Sequence, residues 1–177
     1  MPMFSDDAIL RENRRTELAR RLISHGLPTM LIAQLTGLTR NRQATVRRRL
    51  MVRDKTRRRG PKLSSLERFL GTSRARMEGA ALARLCELFD IGIDAQAASL
   101  PSKVSLSFTE RLCEAFEAYR ACFPTSEVEL EELLLLRSSL AKGAEIRLGR
   151  CRTCKGLMLV NPFNGIERTC PQCSPED

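Results

Sequence analysis

The sequence predicts a mostly α-helical protein, with N-terminal helix-turn-helix-like helices, a helical bundle and a small C-terminal four-cysteine zinc-ribbon-like module. Three observations lead there. Apolar residues recur at helical spacing through most of the chain before residue 144. Glycine and proline stand where those helices should stop. Beyond Ala144 the pattern changes to short β-like runs placed between two CxxC pairs. Of the 177 residues 42% are hydrophobic, but only 5% are aromatic and none is Trp, so the expected core is aliphatic. The organisation expected is residues 1–60 for the first helices and a basic stripe, 61–143 for the helical core and 144–177 for the zinc-binding module.

The first helix is predicted from Asp6 to His25. Ser5 can cap it, Asp6 and Asp7 complement its positive end, and Gly26 stops it. Leu18 with Leu22 and Ala19 with Ile23 give its apolar stripe. Pro28 suits the start of a second, short helix ending near Thr36, with Gly37 as the left-handed turn residue. Thr39 is the expected cap of a third helix over 40–54. Leu31 and Leu35 should face inward on the second helix, and Ala44, Met51 and Leu50 on the third. Two short helices joined by a turn containing glycine form the helix-turn-helix pattern.

Ser64 to Glu67 reads as a capping box for a short helix reaching Leu70. A longer helix over Ser73–Phe89 should bury Met77, Ala81, Leu85, Leu88 and Phe89 and end at Gly92. DAQAASLP suggests one helical turn. Phe108 to Phe123 places Phe108, Leu112, Phe116, Tyr119 and Phe123 on one side. Ser126 and Glu129 suggest a capping box for the last helix, which Gly143 stops. Its Leu run is apolar nearly all round, which implies burial. In the tail, GLMLV, the turn NPFNG and IERT are expected to form a hairpin.

Cys151, Cys154, Cys170 and Cys173 lie in two CxxC pairs fifteen residues apart. This spacing delivers the four thiolates of a tetrahedral zinc site, and the hairpin would bring the pairs together. One structural Zn2+ is the expected cofactor. A shell of four protein thiolates leaves no open position for substrate, so the metal is not expected to be catalytic. Nearby Arg150, Arg152, Lys155 and Arg168 would favour the thiolates. Cys86, Cys113 and Cys122 read as small apolar core residues. His25, the single histidine, reads as a helix-end residue. No Ser/His/Asp or Cys/His set and no phosphate-cradling glycine loop is evident, and the expectation is a protein that is not an enzyme.

The net charge of +9 is concentrated in residues 40–59, where nine Arg and one Lys face Asp54 alone. A focused stripe of this kind attracts polyanions. In a helix-turn-helix the second helix enters the major groove by its N-terminal end. The candidate DNA contacts there are Thr39, Arg40, Asn41, Arg42, Gln43 and Thr45. Arg pairs with guanine and Asn or Gln with adenine, which makes Arg40, Asn41, Arg42 and Gln43 suitable readers. Arg47, Arg48, Arg49, Arg53, Lys55, Arg57, Arg58 and Arg59 suit phosphates.

The segment LARRLISHGLPTMLIAQLTGLTRNRQ, the closing CRTC…CPQC knuckles and the helical length between them together resemble the FlhC family, subunits of the bacterial flagellar master transcriptional activator. The resemblance implies a mostly helical subunit whose zinc ligands are Cys151, Cys154, Cys170 and Cys173. It implies action in a heterohexamer-type complex with an FlhD-like subunit, binding double-stranded promoter DNA and recruiting RNA polymerase. The chain lacks the Trp-containing segment of that family and is richer in arginine over 40–59, which brings it nearer to FlhC-like activators of conjugative mobile elements. Flagellar or conjugative-transfer promoters are the expected targets. No run of about 18 apolar residues exists and the N-terminal residues are acidic, so a cytoplasmic, nucleoid-associated protein without membrane contact is expected. An RNA- or ribosome-associated zinc-ribbon protein and a protein-only adaptor are the competing readings.

Overall fold

The computed structural model describes residues 6–50, 66–94, 99–163 and 169–173. Among the described residues the chain is mostly helical, with seven helices and one two-stranded sheet. It divides into two compact units, one comprising Met1–Pro61 and Pro101–Cys113, the other Lys62–Leu100 and Glu114–Asp177. Two features differ from three consecutive segments: residues 101–113 return to the first unit, and the cysteine module belongs to the second. No described helix is long and apolar enough to cross a membrane.

The first unit holds α1 (Asp6–Ser24), α2 (Thr29–Thr36), α3 (Arg40–Arg49) and the beginning of α6 (Leu106–Cys122). Gly26 ends α1 at φ +75°, and the Leu27 amide closes the turn onto the Leu22 carbonyl at 3.0 Å. Leu18, Ala19, Leu22 and Ile23 of α1 are buried with Ile32 and Leu35 of α2, and with Phe108 and Leu112 of α6. The Thr109 hydroxyl donates to the Leu35 carbonyl at 2.9 Å, joining α6 to the end of α2. Gly37 at φ +73° and Thr39, whose hydroxyl accepts from the Arg42 amide, form the turn into α3. The inward face of α3 differs from expectation. Gln43 and Val46 are buried, Ala44 is exposed, Leu50 is half-buried, and Met51 lies outside the described residues. The reason is polar: the Gln43 amide donates to the Leu38 carbonyl at 2.9 Å, and this bond turns residues 43 and 46 inward.

The second unit holds α4 (Glu67–Leu70), α5 (Ser73–Leu88), the remainder of α6, α7 (Leu130–Lys142), β1 (Arg147–Arg150) and β2 (Leu157–Val160). Thr72 caps α5. The buried face of α5 is rotated from the predicted one. Gly79, Ala80, Leu82, Ala83 and Cys86 are buried, Met77, Ala81, Leu85 and Phe89 are half-buried, and Leu88 is 78% exposed. Close approach decides the choice, because a Cβ at Gly79 would overlap the Leu159 side chain of β2. Gly79 lets the hairpin seat against the helix, while Met77, Leu85 and Leu88 are turned aside from the buried face.

The end of α5 also differs, since Asp90 takes the left-handed conformation ahead of Gly92, and the Ile91 amide bonds the Cys86 carbonyl at 3.0 Å. The capping box of α7 is Glu129 with Glu132, not Ser126 with Glu129. Ser126 is used elsewhere: its hydroxyl pairs with the buried Tyr119 hydroxyl at 2.8 Å and accepts from the Val128 amide at 3.3 Å. Leu130, Leu133 and Leu136 are fully buried, in keeping with the apolar run. Arg137 is buried among them. Its guanidinium donates to the carbonyls of Ile91 at 2.7 Å and Ser99 at 3.2 Å, and burial holds its pKa below the usual value. Ser5, Ser64, Ser65 and residues 95–98 of the expected turn lie outside the described residues.

The packing at Gly79 gives a test with a definite sign. At an exposed helical site Gly→Ala gains about 1 kcal/mol of helix propensity. Gly79→Ala is expected to lose about 1–3 kcal/mol through overpacking, measured by denaturant unfolding.

Candidate metal centre and nucleic-acid interface

The metal centre begins with a hairpin. β1 and β2 pair antiparallel with Arg147 opposite Val160 and Arg150 opposite Leu157, so the loop between them is the first CxxC knuckle itself. GLMLV pairs backward with the strand before it, a pairing not predicted, and the predicted hairpin of GLMLV with IERT around NPFNG lies outside the described residues, which omit 164–168. The Cys151 amide donates to the Gly156 carbonyl at 2.8 Å, and the Lys155 amide donates to the Cys151 carbonyl at 3.1 Å. Lys155 sits at φ +63°, and the Gly156 amide points at the Cys154 sulfur from 3.4 Å. The knuckle is thereby closed by its own backbone.

The second knuckle is tied to α5, because the Ser73 hydroxyl donates to the Thr169 carbonyl at 3.2 Å. Arg76 reaches back to the same Ser73 hydroxyl at 3.1 Å and to the Leu70 carbonyl at 3.1 Å. The Cys170 amide donates to the Cys151 sulfur at 3.4 Å and so links the two knuckles. Met158 of β2 packs beneath, in a buried cluster with Cys151 and Cys170.

All four ligand atoms lie within 4.8 Å of one another, and the Cys154 and Cys170 sulfurs are 3.5 Å apart. A disulfide requires about 2.05 Å, so these are free thiols. Zn–S bonds of about 2.3 Å in a tetrahedron place sulfurs roughly 3.8 Å from one another, within the range present here. The cluster can therefore hold a metal ion.

The four thiols are not equivalent. Amide hydrogen bonds, first from Cys154 and then from Cys170, lower the Cys151 pKa to about 6. Burial pushes Cys170 upward, but S–H donation from Cys154 and Cys173 outweighs it and leaves Cys170 below the usual thiol range. Cys173 donates its own proton to Cys170 and is raised to about 12. Of the remaining cysteines, Cys86 and Cys113 are buried as expected, and burial pushes the Cys86 thiol up to about 12. Cys122 departs from expectation: it is the last residue of α6 and is exposed. His25 directly follows α1, where its amide donates to the Arg21 carbonyl at 3.0 Å.

The predicted DNA contacts differ in their exposure. Thr39, Arg40, Asn41 and Arg42 are brought together, exposed, at the start of α3. Arg48 and Arg49 are exposed further along, with Arg48 donating to the Thr45 hydroxyl at 3.3 Å. Thr45 in turn donates to the Asn41 carbonyl at 3.2 Å. Arg47 is half-buried and reaches the Leu27 carbonyl at 3.5 Å. Gln43 is the correction. It is fully buried with its amide engaged by Leu38, so it shapes the turn and cannot read a base. Arg53, Lys55, Arg57, Arg58 and Arg59 lie outside the described residues. Sequence reasoning missed Glu12 of α1, which pairs with Arg42. It also missed Ser73 as the anchor of the second knuckle. Neither partner has a local spacing signal.

No protein-family model and no curated protein matches this chain.

Two outcomes are expected at the cysteines. Ser at Cys151 and Cys170 together should abolish metal uptake, read by metal analysis of the purified variant. Amide hydrogen bonds hold Cys151 below the usual thiol range, and donation to Cys170 holds Cys173 above it. Metal uptake at pH 8 should therefore release protons, and affinity should fall as pH drops. Calorimetry in buffers of different ionisation enthalpy counts the protons.

Proposed function

We propose that the protein is a DNA-binding subunit of a transcriptional activator. In this reading α3 lies in the major groove, and one Zn2+ on Cys151, Cys154, Cys170 and Cys173 braces the second unit. It acts with an FlhD-like partner and RNA polymerase at flagellar or conjugative-transfer promoters. The observation that carries the reading is the start of α3. A short helix, a three-residue turn and a second helix present Arg40, Asn41 and Arg42 side by side to solvent. Arg and Asn are the side chains whose paired donors and acceptors match guanine and adenine edges. The arginines behind them, with the remaining cations of residues 40–59, supply phosphate contacts.

The FlhD-like subunit and RNA polymerase are partners that the resemblance to the FlhC family implies. A single helix-turn-helix-like unit contacts only a few base pairs, so an extended operator calls for further subunits. Zinc is the metal that a closed four-thiolate shell suits, and a filled shell gives it a bracing role.

The test is duplex binding by the protein co-expressed with the FlhD-like subunit, together with genome-wide mapping of the bound sites. Enrichment at flagellar or conjugation promoters supports the reading, and uniform binding across the genome overturns it. Arg40→Ala and Asn41→Ala are expected to lower the preference for operator over random duplex by about 1–3 kcal/mol each. Arg49→Ala should weaken both equally and reduce the salt dependence by about one counterion.

A further inference from the structure

Some exposed arginines of this chain are met by carboxylates and others are not. In the second unit Arg68 pairs with Glu127 and Glu132, Arg74 with Glu78 and Arg84 with Glu87. Arg150, Arg152 and Lys155 of the metal knuckle belong to the second group and are gathered on one loop. All three are exposed, and none forms an ion pair with a described residue. What they bond to is backbone: Arg150 donates to the Lys155 carbonyl at 3.2 Å, and Lys155 donates to the Arg152 carbonyl at 2.8 Å. Those bonds gather the side chains around one tight loop without neutralising any charge. The loop itself is held by the hairpin register and by Lys155 in its left-handed conformation. Three exposed cations, with no carboxylate partner among the described residues, are thus held on one turn.

We propose that Arg150, Arg152 and Lys155 form a second contact to the phosphate backbone of duplex DNA, an inference that rests on the DNA-binding reading above. Exposed cations without carboxylate partners attract polyanions, and a rigid turn loses little entropy on binding them. Neutralising the metal centre does not account for all three: four thiolates around a divalent ion leave roughly two negative charges uncompensated. The chemistry also favours backbone contact over base stacking. The three side chains carry no aromatic among them, and the exposed Phe163 follows β2 at the end of the hairpin away from the knuckle. The contact adds affinity and salt dependence and leaves sequence preference to α3.

The test uses the full chain with Zn2+ in excess, its loading checked by metal analysis, and compares wild type with Arg150→Gln/Arg152→Gln/Lys155→Gln. Binding to a random-sequence duplex is followed by fluorescence anisotropy over a range of salt concentrations. The slope of log K against log salt should flatten by about 0.9 for each lost phosphate contact, or up to about 2.7 in all. The ratio of operator to random-duplex affinity should not change. An unchanged slope in the triple variant overturns the proposal while the DNA-binding reading survives. A slope that flattens on single-stranded RNA but not on duplex also overturns it. Wild type with no duplex affinity removes the DNA-binding reading itself, and this proposal with it. If the triple variant fails to fold, Arg152→Gln alone, whose guanidinium bonds no described residue, should flatten the slope by about 0.9.

Discussion

Four thiols have to meet at one point, and much of the second unit is arranged to let them. Two come from the turn of a hairpin and two from a segment that returns fifteen residues later. Each supporting contact has a place in this convergence. Gly79 lets β2 sit close to α5, and Ser73 at the start of α5 holds the Thr169 carbonyl beside the second knuckle. The Cys170 amide bonds the Cys151 sulfur. Crowding thiols together is unfavourable once they ionise, because each thiolate raises the energy of the next. The cluster manages this by keeping a proton on Cys173 while Cys151 gives its own up readily. A divalent cation removes the conflict, so metal and fold stabilise each other.

In the first unit, positioning and presentation fall to different residues of the same helix. Thr39 and Gln43 hold the start of α3, one by capping and the other by clasping the Leu38 carbonyl from inside. Arg40 and Asn41 lie between them in sequence and are turned outward. Glu12 of α1 adds a tether on Arg42. A residue type suited to base recognition can therefore serve the scaffold, and burial separates the two roles.

The helices were legible because their ends are marked in the sequence. Gly26, Gly37 and Gly143 all adopt the left-handed conformation that ends a helix, and Thr39 caps α3 as its type suggests. The four metal ligands were legible because CxxC geometry is local. What could not be read was the choice of inward face on α3 and α5, and the pairing of β2. On α5 the larger residues Met77, Leu85 and Leu88 suggested the core, but the neighbour that fits against the helix is a strand distant in sequence, and it selects Gly79 and its small companions. On α3 a polar residue is buried with its side-chain NH2 donating to the Leu38 carbonyl, while its own side-chain carbonyl oxygen has no partner among the described residues. The pairing of β2 with β1 left no turn signal in the sequence, because the Cys151–Gly156 loop closes its hairpin with backbone bonds of its own. The Glu12–Arg42 pair joins residues thirty positions apart and leaves no periodic trace.

The return of residues 101–113 to the first unit has a consequence for synthesis. The Leu35 carbonyl waits for Thr109, which is made after part of the second unit has already been translated. At ribosomal rates of about 5–20 residues per second, roughly 3–10 s separate Pro61 from Cys113. During that interval the Leu35 carbonyl lacks the Thr109 hydroxyl. The order of emergence makes α6 the element that completes the first unit and opens the last part of the second.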